Sequence, residues 1–164
     1  MAEFLLGVNP TVTDTTAQFP LGTEARDPRT QDFPNNVIRY IRADSTITAG
    51  DALKIKADET DEPNALIPTS AVQQPVVAVA HVTIASNSHG WVTVRGKVNA
   101  NVAAVSAEDR LGSSASAGRI QTLTQADSNF TSNDYFEVLS VAAGVGIIAV
   151  DSGNSNALCE VLLT

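Results

Sequence analysis

The sequence predicts an all-β protein, a small antiparallel β-barrel or sandwich with an extended N-terminal arm. Three observations carry that expectation. Eight or nine short runs of β-forming residues are separated by turns rich in Gly, Asn, Asp and Ser, the spacing typical of sandwiches and barrels. The stretch Pro75 to Val98, PVVAVAHVTIASNSHGWVTVRGKV, reads as two strands joined by a polar turn. The first 35 residues follow neither a helical nor a strict two-residue period and hold four of the chain's seven prolines, which interrupt any strand ladder.

The arm, residues 1–35, carries Phe4, Leu5, Leu6, Phe19, Leu21 and Phe33 among threonines and charges. Fully stretched, ~35 residues reach on the order of 100 Å. Ordering each backbone residue costs roughly 1–2 kcal/mol, and burying each large apolar side chain returns roughly 1.5–3 kcal/mol. Those side chains alone do not fix the arm. The arm is therefore expected to be either mobile or held by main-chain pairing together with burial against something large, such as a neighbouring subunit.

The β domain, residues 36–164, opens with Val37 to Ala43 (VIRYIRA), a strand, and the turn Ala49-Gly50-Asp51. Ala52 to Ala57 (ALKIKA) alternates, with Leu53 and Ile55 inward and Lys54 and Lys56 outward. Asp58 to Asn64 is a charged loop, and Leu66 and Ile67 lead back to the centre. Val76 to Ile84 is nearly continuous Val, Ala and Ile, which suits a central strand covered on both faces. Ser86 to Gly90 is a turn in which Gly90 is free to take a positive φ. Trp91 to Val98 alternates, with Val92, Val94 and Val98 inward and the row Trp91, Thr93, Arg95 and Lys97 outward. Arg119 to Leu123, Tyr135 to Val141, Gly146 to Val150 and Ala157 to Leu163 supply the remaining strands, and Asp127 or Ser128 suits the cap of a brief helical turn.

Composition excludes several functions. A net charge of −8 argues against sequence-independent nucleic-acid binding, which depends on Lys and Arg. One cysteine, Cys159, leaves no internal disulfide and no cysteine-based zinc site. The longest apolar stretch, Val138 to Val150, contains Ser and Gly and falls short of the ~20 residues of a membrane span. The N-terminal MAEFLLGVNP lacks the basic segment of a signal peptide, so synthesis in a cytoplasm is expected. The acidic run Asp58 to Glu62 lacks the central Gly and distal Glu of a calcium loop. His81 and His89 have no carboxylate at ligand spacing. No serine lies in a Gly-x-Ser-x-Gly elbow, and no phosphate-binding loop occurs. The chain is expected to be neither an enzyme nor a cofactor or metal binder.

Set side by side, Thr48-Ala49-Gly50-Asp51-Ala52-Leu53, Val77-Ala78-Val79-Ala80, Gly90-Trp91-Val92-Thr93-Val94-Arg95-Gly96-Lys97-Val98, Leu111-Gly112 and Ala117-Gly118-Arg119-Ile120 resemble the capsid decoration, or cement, proteins of tailed phages. The likeness spans Ile47 to Leu123. The Pro-rich arm and the additional C-terminal strands depart from the minimal pattern. The resemblance implies a non-enzymatic protein on the outer surface of a phage head. It would act as a homotrimer that bridges neighbouring major capsid proteins, without cofactor, nucleic acid or membrane as a partner. Phe4, Leu5, Leu6, Phe19 and Phe33 would be apolar anchors, Arg26 and Arg29 partners for acidic groups, and Trp91 and Arg95 interface residues of the outward row. The alternative is a tail-associated adhesive or carbohydrate-binding β module. Sugar sites present exposed aromatics, and outside the phenylalanines only Trp91, Tyr40 and Tyr135 are available.

Overall fold

The computed structural model describes residues 8–26, 36–55, 65–70, 76–107, 110–122, 146–149, 153 and 155–162. Ten strands form among them: β1 (Glu24–Arg26), β2 (Val37–Ala43), β3 (Ala52–Ile55), β4 (Ala65–Pro68), β5 (Ala78–Val79), β6 (His89–Asn101), β7 (Arg110–Ser113), β8 (Ile120–Thr122), β9 (Gly146–Ala149) and β10 (Asn156–Leu162). No helix occurs among the described residues. The all-β, predominantly antiparallel class is as the sequence predicts. The strand expected over Tyr135 to Val141, the Asp58 to Asn64 loop and the cap at Asp127 or Ser128 lie outside the described residues.

The 13-residue β6 joins two sheets. Its first half, His89 to Arg95, pairs antiparallel with β2, and its second half, Gly96 to Asn101, pairs antiparallel with β10. A strand that long exceeds the ~10-residue upper range of ordinary strands, and here two different partners satisfy its main chain. On the first side the pairings run β2–β4–β3–β5–β6 and return to β2, with β1 beside β2 and one parallel pair, β2–β4. The β5–β6 and β3–β5 links are one and two residue pairs long, so this ring of pairings is not a barrel closed by continuous ladders. On the second side β6 is followed by β10, β9, β7 and β8, all antiparallel.

The change of partner is made by one side chain. At Val37/Ile38 the β2–β6 register shifts, leaving Val94 as the extra residue of a bulge, the device that bends a strand and ends a pairing. Asn36, just before β2, then takes over as a surrogate strand. Its Nδ2 donates to the Lys97 carbonyl at 2.6 Å, and its Oδ1 accepts from the Lys97 N–H at 2.8 Å. Between them Gly96 has φ +107°, and a Cβ there would overlap the Asn36 amide.

A second junction ties the sheets together beside β3. Asp51 Oδ2 accepts from Thr48 N at 2.7 Å, and its Oδ1 accepts from Asn101 Nδ2 at 3.0 Å. Gly50 N donates to Ala80 O, Asn101 N to Gly50 O, and Ala52 N to Gly118 O. Gly118, at φ +69°, has no room for a Cβ against Asp51. The Thr48-to-Asp51 turn, Ala80, the end of β6 and the Ala117-Gly118 turn thus meet at one point. Three of these, the Thr48-to-Asp51 turn, Ala80 and the Ala117-Gly118 turn, fall in segments on which the resemblance to decoration proteins rests.

The same junction explains a departure from the sequence reading. Val76, Ala78, Val79, Ala80 and Ile84 are buried as expected, but only Ala78 and Val79 form a strand. Ala80 is held by Gly50 and Asp51, the chain bends at His81 and Val82, and Ile84 returns as a single bridge to Ile47. Apolarity fixed burial, not ladder continuity; the central strand is β6. In the turn before it, the positive φ falls on Asn87 (59°), not Gly90, an angle that Asn tolerates. Gly90 instead lies against Ile84, whose Cδ1 would be 2.8 Å from an added Cβ.

Candidate interface site

Residues 8–26 of the arm lie on the chain's own domain. The groove that receives them is formed by Ile38, Tyr40 and Trp91, and Val8, Phe19, Leu21 and Ala25 pack into it. The Phe19 ring meets Tyr40 and Trp91 edge-on, with centroids 5.3 Å from each, an arrangement that aromatic quadrupoles favour. Tyr40 is tilted on Trp91 at 5.1 Å and stacked on His89 at 6.0 Å.

Main-chain bonds supply the rest of the hold. Asp14 and His89 exchange both backbone hydrogen bonds, at 2.9 and 2.7 Å. Tyr40 N donates to Thr23 O, Gly22 N to Tyr40 O, and β1 pairs with β2 over Glu24↔Arg39, Ala25↔Ile38 and Arg26↔Val37. The Tyr40 hydroxyl accepts from Gln18 N at 3.1 Å and donates to Asp14 Oδ2 at 3.4 Å. Burial, together with the nearby Asp14 carboxylate, raises the Tyr40 pKa above its ordinary 10. His81 lies between Pro10 O at 2.8 Å and Thr93 Oγ1 at 3.3 Å. The carbonyl can only accept, so Nε2 is the donor towards Pro10.

These contacts correct two expectations. For residues 8–26 the arm finds apolar cover in a groove of its own domain, and strand pairing supplies what side-chain burial alone lacked. The row expected to face outward also divides: Trp91 is 2% exposed and Thr93 1%, while Arg95 is exposed. With the arm on one face and Val92 and Val94 on the other, this part of β6 is covered on both sides. Trp91 is therefore buried under the arm and does not face outward as expected. Tyr40, at 0%, is also closed to a sugar face, which removes two of the three aromatics weighed for carbohydrate binding.

Of the other expected contact residues, Phe19 is half-buried in the groove and Arg26 is exposed on β1. Phe4, Leu5, Leu6, Arg29 and Phe33 lie outside the described residues. The register brings Arg26 and Arg95 to opposite sides of Val37, so the three form one row across β1, β2 and β6. In the neighbouring row Arg39 pairs with Glu24 at 2.6 Å. Sequence reasoning named both Arg26 and Arg95 but missed that they share a row, because β1 was hidden inside an arm with no periodicity. Among the described residues no group of three His, Cys, Asp or Glu is placed to hold a metal ion, and Cys159 is a buried thiol.

Fold and site together define a β module, without helix among the described residues, in which one long strand serves two sheets and an N-terminal segment is strapped across the first. No protein-family model and no curated protein matches the chain. Among solved structures it is similar to the head fiber gp8.5 N base of bacteriophage phi29, with a TM-score of 0.52 and 14% sequence identity, over 77% of this chain and 93% of that one. At that identity the likeness is one of fold.

Proposed function

We propose that this chain is a structural protein of a phage head, a decoration protein made in the host cytoplasm and added to the outside of the shell. There it bridges and stabilises neighbouring major capsid proteins as a homotrimer. The observation that carries this reading is the fold shared with the base of a phage head fiber over nearly all of that chain. Two further features support it. Three of the segments that resemble decoration proteins, those around Gly50–Asp51, Ala80 and Gly118, meet at one junction. The first described residue of the arm, Val8, is buried in the cluster that holds Ile38, Tyr40 and Trp91, and Phe4, Leu5 and Leu6 precede it in the sequence. In this reading they, with Arg29 and Phe33, supply contacts to the shell.

The test is to add the full chain to decoration-free heads and measure co-sedimentation and heat resistance. Saturable, stoichiometric attachment that raises the temperature at which heads break open is the expected result. Deletion of residues 2–7 should weaken attachment and leave the domain's melting unchanged. Heads that neither bind the protein nor gain stability overturn the proposal.

A further inference from the structure

Three surface segments meet beside the first sheet, and none of them carries a charge. Residues 9–13 of the strap, 45–49 between β2 and β3, and 82–87 between β5 and β6 consist of Thr, Ser, Asn, Ala, Val, Ile and Pro alone, in a chain of net charge −8. Their joins are specific. His81 Nε2 donates to Pro10 O at 2.8 Å, Ala49 N donates to Thr83 Oγ1 at 3.2 Å, and Ile47 and Ile84 exchange both backbone bonds at 2.9 Å. Thr13 and Ile84 both lie over Gly90, 3.5 and 2.8 Å from where its Cβ would stand. The carboxylates at the border are engaged within the chain: Asp14 accepts from the Tyr40 hydroxyl, and Asp44 from Arg42 at 2.8 Å.

The side chains on this surface are open to contact. Thr11, Val12, Thr13, Thr48, Thr83 and Ala85 are exposed, and Val12, at 46%, is the one exposed large hydrophobic side chain among the described residues. The main chain beneath them is held by Val12 N to Asn9 O, by the Asp14–His89 pair and by Asn87 N to Ala43 O. A partner that covers this surface orders little new backbone, stills side chains with few rotamers and strips no charge of water. The centres of protein interfaces are poor in charge for the same reason.

Chain continuity says which partner. Asn9 belongs to this surface, and Phe4, Leu5 and Leu6 lie two to four residues before Val8. At the full reach of the backbone they are within about 14 Å of Val8. A shell that takes up those anchors is brought against the uncharged surface beside them.

We propose that the surface of residues 9–13, 45–49 and 82–87 is the face laid against the capsid shell. Its partner there is an uncharged strip of capsid protein that offers main-chain groups to the hydroxyls and apolar cover to Val12. The inference rests on the head role proposed above and gives that role its contact face. A contact of this kind is nearly independent of salt, because no exposed charges are paired across it.

The experiment measures binding isotherms of the full chain on decoration-free heads by co-sedimentation, at about 0.05 and 0.5 M salt. Wild type should bind alike at both. Val12→Glu, Val12→Lys and Ala85→Glu should each weaken attachment at least about tenfold, since a charge of either sign is then buried without a partner. Asn99→Glu, at an exposed position on the far half of β6, adds the same charge elsewhere and should bind as wild type does. Thermal melting of each free variant checks folding, and Ala85→Glu stands in should the Val12 variants not fold. Variants that bind as wild type does, a gain with either sign of charge, or wild-type attachment that falls steeply with salt overturns the inference and leaves the head role standing. Loss of self-association in place of attachment makes a second copy the occupant and also overturns it. Wild type that does not attach to heads at all overturns both.

Discussion

Phe19 is the side chain on which the strap turns, and Phe19→Ala is its sharpest test. A fully buried Phe→Ala change costs about 3–5 kcal/mol. Phe19 is mostly but not fully buried, so a cost of about 2–4 kcal/mol applies, which includes its edge-on contacts with Tyr40 and Trp91. For a domain of this size that corresponds to a fall of roughly 5–15 °C in Tm. The chain holds a single tryptophan, Trp91, which the Phe19 ring covers. The assay is therefore thermal melting together with tryptophan emission and quenching by acrylamide. The variant should melt earlier, and Trp91 should emit further to the red and become accessible to quencher below the melt. Val12→Ala, at a side chain 46% exposed in the same segment, should change none of these. A Phe19→Ala protein with unchanged Tm and a still-shielded Trp91 would refute the account of how the arm is held.

The remaining predictions concern the two junctions and the pH range. Asn36→Ala removes both amide bonds to the Lys97 main chain and should cost about 2–3 kcal/mol, with faster amide exchange at Lys97 than at Val92 as the local signature. Gly96→Ala combines an unfavourable φ of +107° with overlap on the Asn36 amide and should destabilise by at least about 1–3 kcal/mol; denaturant unfolding measures both. Asp51→Ala removes the acceptor of Thr48 N and Asn101 Nδ2, and a loss of about 2–3 kcal/mol is expected by the same measurement. Tyr40 is held protonated above its ordinary pKa of 10 by burial first and the Asp14 charge second. Its folded pKa exceeds its unfolded one, so its contribution is complete below pH 10 and disappears as pH rises through the folded value. Alkaline unfolding of wild type should therefore be steeper than that of Tyr40→Phe, and equal slopes would contradict the assignment.

Much of the fold follows from local chemistry. The strands at Val37 to Ala43, Ala52 to Ile55 and Ile120 to Thr122 were legible because apolar alternation and flanking turn residues reflect a period that any sheet must satisfy. The burial of Val76 to Ile84 was equally legible from apolarity. Its path was not, since whether such a run continues as a strand depends on which main chain lies beside it. β1 was invisible for the opposite reason: Glu24, Ala25 and Arg26 have no strand pattern of their own and become a strand only because β2 offers an open edge.

The sequence by itself determined the class: helix-poor, acidic, with a core of Val, Ala, Ile and Leu and an arm too apolar to lie idle in solvent. Tertiary structure alone decided where residues 8–26 of the arm go and that β6 is covered on both faces from Trp91 to Val94. Trp91 and Thr93 alternate with Val92 and Val94 as a half-exposed strand should, and that pattern cannot reveal that Phe19, 72 positions earlier, covers the second face. Nor does sequence show that Asn36 replaces a strand, or that Arg26 and Arg95 share a row. Each of these is a contact between residues remote in the chain, and local patterning records only that a side chain needs a partner, not which one it finds.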